Sequence, residues 1–264
     1  MQDLKVTIIQ SDIYWGDIPK NIENFEIQIR AIKEKTDLIV LPEMFSTGFN
    51  MKPQSSFETM EGDTVTWMST MAHELDCVIC GSLLIKENDC FFNRLIWMRP
   101  DGNISFYDKK HLFRFSGENN VYSEGKERVI VTLKGFKILL QICYDLRFPV
   151  WSRNRYNNGT YNYDCIIYVA NWPESRRYAW CTLLAARAIE NQAYVIGVNR
   201  IGKDFNGTDH SGYSFILSPK GEIIKETEPY KNDVCSASLD KVGLDEFRKN
   251  FLAGADWDKF EIIN

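Results

Sequence analysis

Asp164-Cys165-Ile166-Ile167-Tyr168-Val169-Ala170 is an apolar run opened by a single acid and reads as a buried strand. Residues 178–192 then carry apolar side chains at helical spacing, and 193–199 form a second short apolar run. Strand, helix, strand is the alternation of a layered α/β fold. The pattern extends in both directions. Leu4, Val6 and Ile8 alternate with Lys5 and Thr7 as an opening strand. Ile22, Phe25, Ile29 and Ile32 follow at helical spacing, with Asp17 as N-cap and Pro19 in the first turn. Leu38 to Leu41 is too brief for a helix. Residues 61–75 read as helix. Residues 77–85 and 91–98 read as strands that turn at 86–89, and Pro100 to Asn103 turns into Ile104–Tyr107. Residues 128–133 and 137–143 pair around Lys134-Gly135, and 144–155 read as the start of a helix. Residues 211–218 and 222–227 form a hairpin, 233–239 a strand and 243–250 a short helix. The polar stretch 156–162 reads as a surface loop. No linker-like stretch interrupts the chain, so 1–264 is expected to be one domain.

Composition narrows the function classes. Lys and Arg total 31 against 36 Asp and Glu, a formal charge of -5 that disfavours nucleic acid and anionic membrane as partners. No apolar run approaches a membrane span, and the first residues carry no signal-like apolar stretch. Seven cysteines without a framework suit a reducing cytoplasm. The sequons at Asn103, Asn158 and Asn206 are then chance matches.

Three polar residues end apolar strands. Glu43 follows Leu38-Ile39-Val40-Leu41-Pro42, Lys109 follows Ile104-Ser105-Phe106-Tyr107-Asp108, and Cys143 follows Ile138-Leu139-Leu140-Gln141-Ile142. Ligands of α/β sheets collect outside strand carboxyl ends. The three types also fit one reaction. A thiol attacks as thiolate, and a cation or a helix start lowers its pKa. Lys109 is a candidate cation and Glu43 a candidate proton carrier between thiol and leaving amine. Lys109 and the Tyr144 N–H are candidates to hold a carbonyl oxyanion. Spacing alone leaves the bland readings open: Cys143 as a small core residue, Glu43 and Lys109-Lys110-His111 as solvated strand ends. Cys77-Val78-Ile79-Cys80 lies inside a strand, where positions three apart face opposite sides, so it reads as core. Three histidines are too dispersed for a metal site, and no metal or cofactor is expected. Arg187 and Glu190 suggest a local ion pair or part of a dimer surface.

Leu41-Pro42-Glu43-Met44-Phe45, Tyr107-Asp108-Lys109-Lys110-His111-Leu112-Phe113 and Cys143-Tyr144-Asp145-Leu146-Arg147-Phe148-Pro149 resemble, in order, the three motifs of the nitrilase (carbon–nitrogen hydrolase) superfamily. Asn171-Trp172-Pro173 and Arg187-Ala188-Ile189-Glu190-Asn191 continue the resemblance, which is strongest to the bacterial omega-amidase branch. It implies a four-layer αββα sandwich, assembled as a homodimer through helices near the Cys loop. It implies a triad in which Glu43 is general base and acid, Lys109 stabilises the tetrahedral intermediate and Cys143 is the nucleophile. Glu118 matches the family's second glutamate and would hold Lys109; Glu124 is a rival for that place. The implied substrates are monoamides of small dicarboxylic acids, 2-oxoglutaramate and 2-oxosuccinamate. For their free carboxylate Arg147 is the first candidate, with Arg176 and Arg177 as alternatives. Phe45, Trp172 and Phe148 are expected to line the pocket together with Tyr144. Trp172-Pro173-Glu174-Ser175 departs from the small hydroxyl residues common after the Asn in that branch. Competing readings are a papain-like hydrolase pairing Cys143 with His111 or His210, a hydrolase of another amide, carbamoyl group or nitrile, and a non-catalytic binding module.

Overall fold

The computed structural model describes residues 3–262. In chain order the elements are β1 (Leu4–Gln10), α1 (Ile18–Arg30), β2 (Leu38–Val40), α2 (Asp63–Leu75), β3 (Val78–Glu87), β4 (Cys90–Met98), β5 (Ile104–Asp108), β6 (Ile130–Leu133) and β7 (Phe136–Ile142). The second half adds α3 (Pro149–Ser152), β8 (Tyr156–Asn157), β9 (Thr160–Tyr161), β10 (Cys165–Ala170), α4 (Arg177–Asn191), β11 (Tyr194–Asn199), β12 (Ile201–Lys203) and β13 (Asp209–Ser211). It ends with β14 (Phe215–Leu217), β15 (Ile223–Glu226), β16 (Asp233–Leu239) and α5 (Lys241–Asn250).

Two six-stranded sheets organise these elements, ordered β16-β1-β2-β3-β4-β5 and β15-β14-β11-β10-β7-β6. The strands β1, β2 and β3 are parallel in the first sheet, and β7, β10 and β11 in the second; the outer strands are antiparallel. Strand periodicity sorts side chains into layers. Leu38, Val40, Cys80 and Trp97 meet Ile138, Leu140, Ile167 and Ile196 between the sheets. Ile39, Ile79 and Ile96 point the other way, onto Phe25 and Ile29 of α1 and Met68 and Met71 of α2. Ile166, Tyr168 and Val195 face Trp180 and Leu184 of α4. The result is the expected four-layer αββα sandwich. Cys77 and Cys80 fall in different layers, in keeping with the two faces of a strand.

Local chemistry sets most boundaries. Asp17 caps α1 by accepting the Lys20 N–H at 3.2 Å, with a proline in the first turn. The β3–β4 hairpin turns on Asn88 and Asp89, whose φ values of 47° and 61° match the type I′ turn that twisted strands prefer. Two expectations need correction. Residues 144–155 do not make one helix: a 3₁₀ turn over Cys143–Arg147 is followed by the single turn α3. Pro149 explains the break, because it lacks an N–H and disfavours helical backbone at Phe148, where φ is -114° and ψ 86°. Residues 156–162 are not a plain loop but contain the β8–β9 hairpin, turning on Asn158 and Gly159 and burying Tyr161.

The helix α5 is fastened to the second sheet through Asp164. That buried carboxylate accepts from Arg248 at 2.6 Å, Lys241 at 3.1 Å and the Lys137 N–H at 3.0 Å. Removing it strands a buried guanidinium. Asp164→Ala is expected to destabilise the fold by about 3–5 kcal/mol, read as a lower urea midpoint at unchanged slope.

Candidate active site

The carboxyl ends of four strands, two from each sheet, converge at one end of the sandwich. Glu43 lies just beyond β2, Lys109 directly after β5, Cys143 directly after β7 and Asn171 directly after β10. Two of these turns are sharp. Met44 and Cys143 both have φ of 43°, a region that side-chain-bearing residues seldom occupy. Such backbone costs ~1–3 kcal/mol and persists where its surroundings over-determine it.

The side chains form one buried cluster. Lys109 Nζ donates to Glu43 Oε1 at 2.9 Å and to both oxygens of Glu118 at 3.0 Å. The Lys109 side chain is 1% exposed and both glutamates are fully enclosed. Glu43 accepts further bonds from Asn93 Nδ2 at 2.7 Å and from the Asn171 N–H at 2.7 Å. Cys143 lines the same cavity as Glu43. Glu118 also accepts the Phe113 N–H. Glu124 is absent from this cluster; it faces Lys110 at 3.7 Å.

Electrostatics in the cluster departs from the sequence expectation. Burial works against the Lys109 charge, but Glu118 and Glu43 outweigh it and hold the ammonium above its ordinary pKa. Burial pushes Glu118 up, opposed by Lys109. Burial also pushes the Cys143 thiol well above its usual range, the Glu43 charge adds to this, and Lys109 opposes it. Lys109 therefore does not act as a cation that frees the thiolate at rest, because two carboxylates already neutralise it. The thiol is held above its ordinary pKa, with Glu43 beside it in the cavity.

A cavity of about 330 Å³ opens over the cluster. Cys143, Lys109 and Glu43 form its floor, and Tyr144, Arg147, Trp172 and Arg176 line its wall, joined by Phe49, Phe113 and Phe115. The Arg147 guanidinium lies 4.8 Å over the Trp172 ring, and Arg176 lies 5.2 Å over Phe113. Neither pairs with a carboxylate among the described residues. The β12–β13 hairpin adds Asp204, Asn206, Thr208 and His210 to the lining.

Three expected pocket residues lie elsewhere. Phe45 is wholly buried on the helix side of the first sheet, edge-on to Phe25 and beside Trp67, because the left-handed Met44 turns the chain away from the cavity. Phe49, four residues later, takes the place beside Lys109 Nζ at 5.2 Å. Phe148 stacks on His111 at 3.7 Å instead of facing the cavity. Arg177 is held by Glu174 and Tyr213 outside it. The histidines are engaged otherwise than as a base for the thiol. His111 bonds Asp145 at 2.8 Å, and His210 contacts the Thr208 carbonyl, with burial holding its pKa down to about 4.

This arrangement has close relatives. The sequence profile of the family described as Carbon-nitrogen hydrolase matches residues 5–249. The chain belongs to the carbon–nitrogen hydrolase family. This carbon–nitrogen hydrolase is 44% identical over 263 residues to omega-amidase YafV of Yersinia enterocolitica, spanning 100% of both chains. It is 31% identical over 224 residues to 2-oxoglutaramate amidase of Bacillus subtilis, covering 84% of this chain and 85% of that one. The crystal structure of XC1258 from Xanthomonas campestris superposes with a TM-score of 0.97 at 39% identity, covering 99% of this chain and 100% of that one. That relative is described as a CN-hydrolase superfamily protein carrying an arsenic adduct in its active site.

Asn93 is the main residue that sequence reasoning missed. It sits inside β4 with no motif around it, yet it donates to Glu43, accepts from Ser82 at 2.8 Å and takes the Lys109 N–H on its carbonyl at 3.0 Å. An amide in the middle of an apolar strand is the signal that was there to be read, because a buried polar group needs partners. The hairpin wall at 204–210 left no such trace. One consequence is measurable. The ultraviolet thiolate absorption of the carbon–nitrogen hydrolase, taken as a difference against Cys143→Ala, is expected to be absent at neutral pH and up to about pH 8. A thiolate signal at pH 7 would mean that the thiol is ionised at rest.

Proposed function

We propose that this protein is an omega-amidase. It cleaves the terminal amide of small dicarboxylic acid monoamides, with 2-oxoglutaramate and 2-oxosuccinamate as the named candidates, to the acid and ammonia. One observation carries this reading: a single cavity combines a thiol, a carboxylate, a buried ammonium and two guanidinium groups that pair with no carboxylate among the described residues. The first three suit amide cleavage, and the guanidinium groups suit the free carboxylate at the substrate's far end. Similarity to the amidases of Yersinia enterocolitica and Bacillus subtilis supports the same substrate class.

The reaction follows from the positions. Glu43 takes the thiol proton as Cys143 attacks the amide carbon, so no free thiolate is needed beforehand. The carbonyl oxygen gains negative charge and is met by Lys109 and by the Tyr144 N–H, the second residue of a 3₁₀ turn, where N–H groups lack intrahelical partners. Each such donor contributes ~3–4 kcal/mol in comparable sites. The C–N bond breaks, Glu43 returns the proton to the leaving nitrogen, and ammonia departs from a thioester. Glu43 then removes a proton from water, the resulting hydroxide attacks the thioester, and the C–S bond breaks to release the acid. The sulfur recovers its proton from Glu43. Glu118 stays bound to Lys109 throughout and fixes its direction. Arg147, flattened on Trp172, is the first partner for the substrate carboxylate, and Arg176 is the second.

The same reading includes a homodimer, one domain and a cytoplasmic location. Val150, Tyr178 and Ile189 leave an exposed apolar face on α3 and α4, next to the Cys143 turn, which supports self-association there. All seven cysteines are free, which suits a reducing compartment.

Cys143→Ala is expected to abolish ammonia release from both oxo-acid amides while leaving the thermal transition in place. Arg147→Met is expected to raise KM about 10–100-fold for these amides, with a smaller effect on amides that lack a carboxylate. Turnover retained in Cys143→Ala would end the proposal. A panel in which only nitriles or carbamoyl amines release ammonia would move it to another substrate class.

A further inference from the structure

We infer that Asp145 is a positioning residue for amide cleavage: it holds the Cys143 turn in register with the Lys109 turn across the gap between the two sheets. The inference rests on the reaction proposed above. Asp145 follows Cys143 by two residues and is fully buried. Its Oδ2 accepts the Ile142 N–H at 3.0 Å and the Tyr107 hydroxyl at 2.8 Å. Its Oδ1 accepts the His111 N–H at 3.0 Å and faces His111 Nδ1 at 2.8 Å. These contacts flank both reactive positions: Ile142 immediately precedes Cys143, and Tyr107 and His111 lie two residues either side of Lys109.

The surroundings make this brace rigid. The Tyr107 hydroxyl also accepts from Trp151 Nε1 at 3.0 Å and from the Lys110 N–H at 3.2 Å. The His111 ring lies parallel to Phe148, with ring centres 3.7 Å apart and planes 4° apart. Tyr107 belongs to one sheet and Ile142 to the other, so no backbone ladder ties their turns together. A side chain must do so. A carboxylate suits the place, because three donors converge on its two oxygens and the His111 ring becomes a fourth in its Nδ1–H tautomer. An asparagine would aim an NH₂ at two of those donors.

The left-handed backbone at Cys143 needs such support. Its φ of 43° is unfavourable for a residue with a side chain, so a released turn relaxes and moves the sulfur relative to Glu43 and Lys109. Misplacement by about 1 Å is enough to lower a rate about 100-fold. The effect falls on the chemical step, because Arg147, Arg176 and Trp172 do not bond Asp145.

Three variants test this: Asp145→Asn, Tyr107→Phe and His111→Phe. Each is read by kcat and KM for ammonia release, and by the rate at which iodoacetamide alkylates Cys143 compared with the buried cysteines. Asp145→Asn is expected to lower kcat about 100-fold with KM unchanged, and to change Cys143 alkylation by about tenfold or more. Tyr107→Phe and His111→Phe, which each remove a ring-borne polar contact to Asp145 (the first also taking the acceptor from Trp151 Nε1 and the Lys110 N–H), are expected to lower kcat by about 3–10-fold with the same split. If Asp145→Asn fails to fold, these two variants decide. A kcat within error of the parent in both, or activity losses that merely follow the folded fraction, would overturn the role of Asp145. If the parent releases no ammonia from any omega-amide, the substrate proposal falls, while the alkylation rates still judge the brace.

Discussion

A lysine ammonium enclosed by protein cannot remain charged without close anions, and the rest of the site is arranged around that constraint. Lys109 is 1% exposed and touches two glutamates that solvent does not reach. Removing both glutamates would leave an uncompensated ammonium in the interior, whereas removing one leaves Lys109 its other partner. The neutralised lysine cannot also ionise the neighbouring thiol. Burial and the Glu43 charge hold the Cys143 thiol above its ordinary pKa. A protonated thiol also resists casual oxidation and alkylation better than a free thiolate does.

The same constraint explains why the site sits at the ends of two facing sheets. Glu43, Lys109, Cys143 and Asn171 each follow a different strand, and their turns have to meet although no ladder joins the sheets. Side chains provide the connection. The Asn171 N–H reaches Glu43 from the second sheet at 2.7 Å, and Asp145 reaches Tyr107 in the first at 2.8 Å. Asn93 adds a tie within the first sheet, bonding Glu43 and the backbone of Lys109. The αββα layering supplies an apolar setting for these bonds, since Cys143 packs against the inter-sheet core that holds Leu140, Ile142 and Trp97. In that low-dielectric setting each bond is stronger than in water, and each missing one costs more.

The strand and helix pattern was readable because periodicity is a local property. Alternation placed β1 and β16, and the 3.6-residue repeat placed α1, α2 and α4 to within a few residues. Failures came where a single residue redirects the chain. Pro149 splits the segment after Cys143, and the left-handed Met44 sends Phe45 away from the cavity that Glu43 of the same motif lines. Neither effect has a period. Asn93 escaped because its partners lie 50 residues back and 16 residues ahead in the chain, at Glu43 and Lys109.

By itself the sequence determined the layered α/β class, the strand-end positions of Glu43, Lys109 and Cys143, and a resemblance strong enough to suggest their chemistry. These follow from residue type and short-range order, which the chain carries regardless of its path. Only the tertiary structure decided that the thiol is raised and not lowered, that Glu118 and not Glu124 clasps Lys109, and that Arg147 and Arg176 share the cavity while Arg177 does not. Charge state depends on burial and on neighbours distant in the chain, and both exist only after the two sheets have closed on each other.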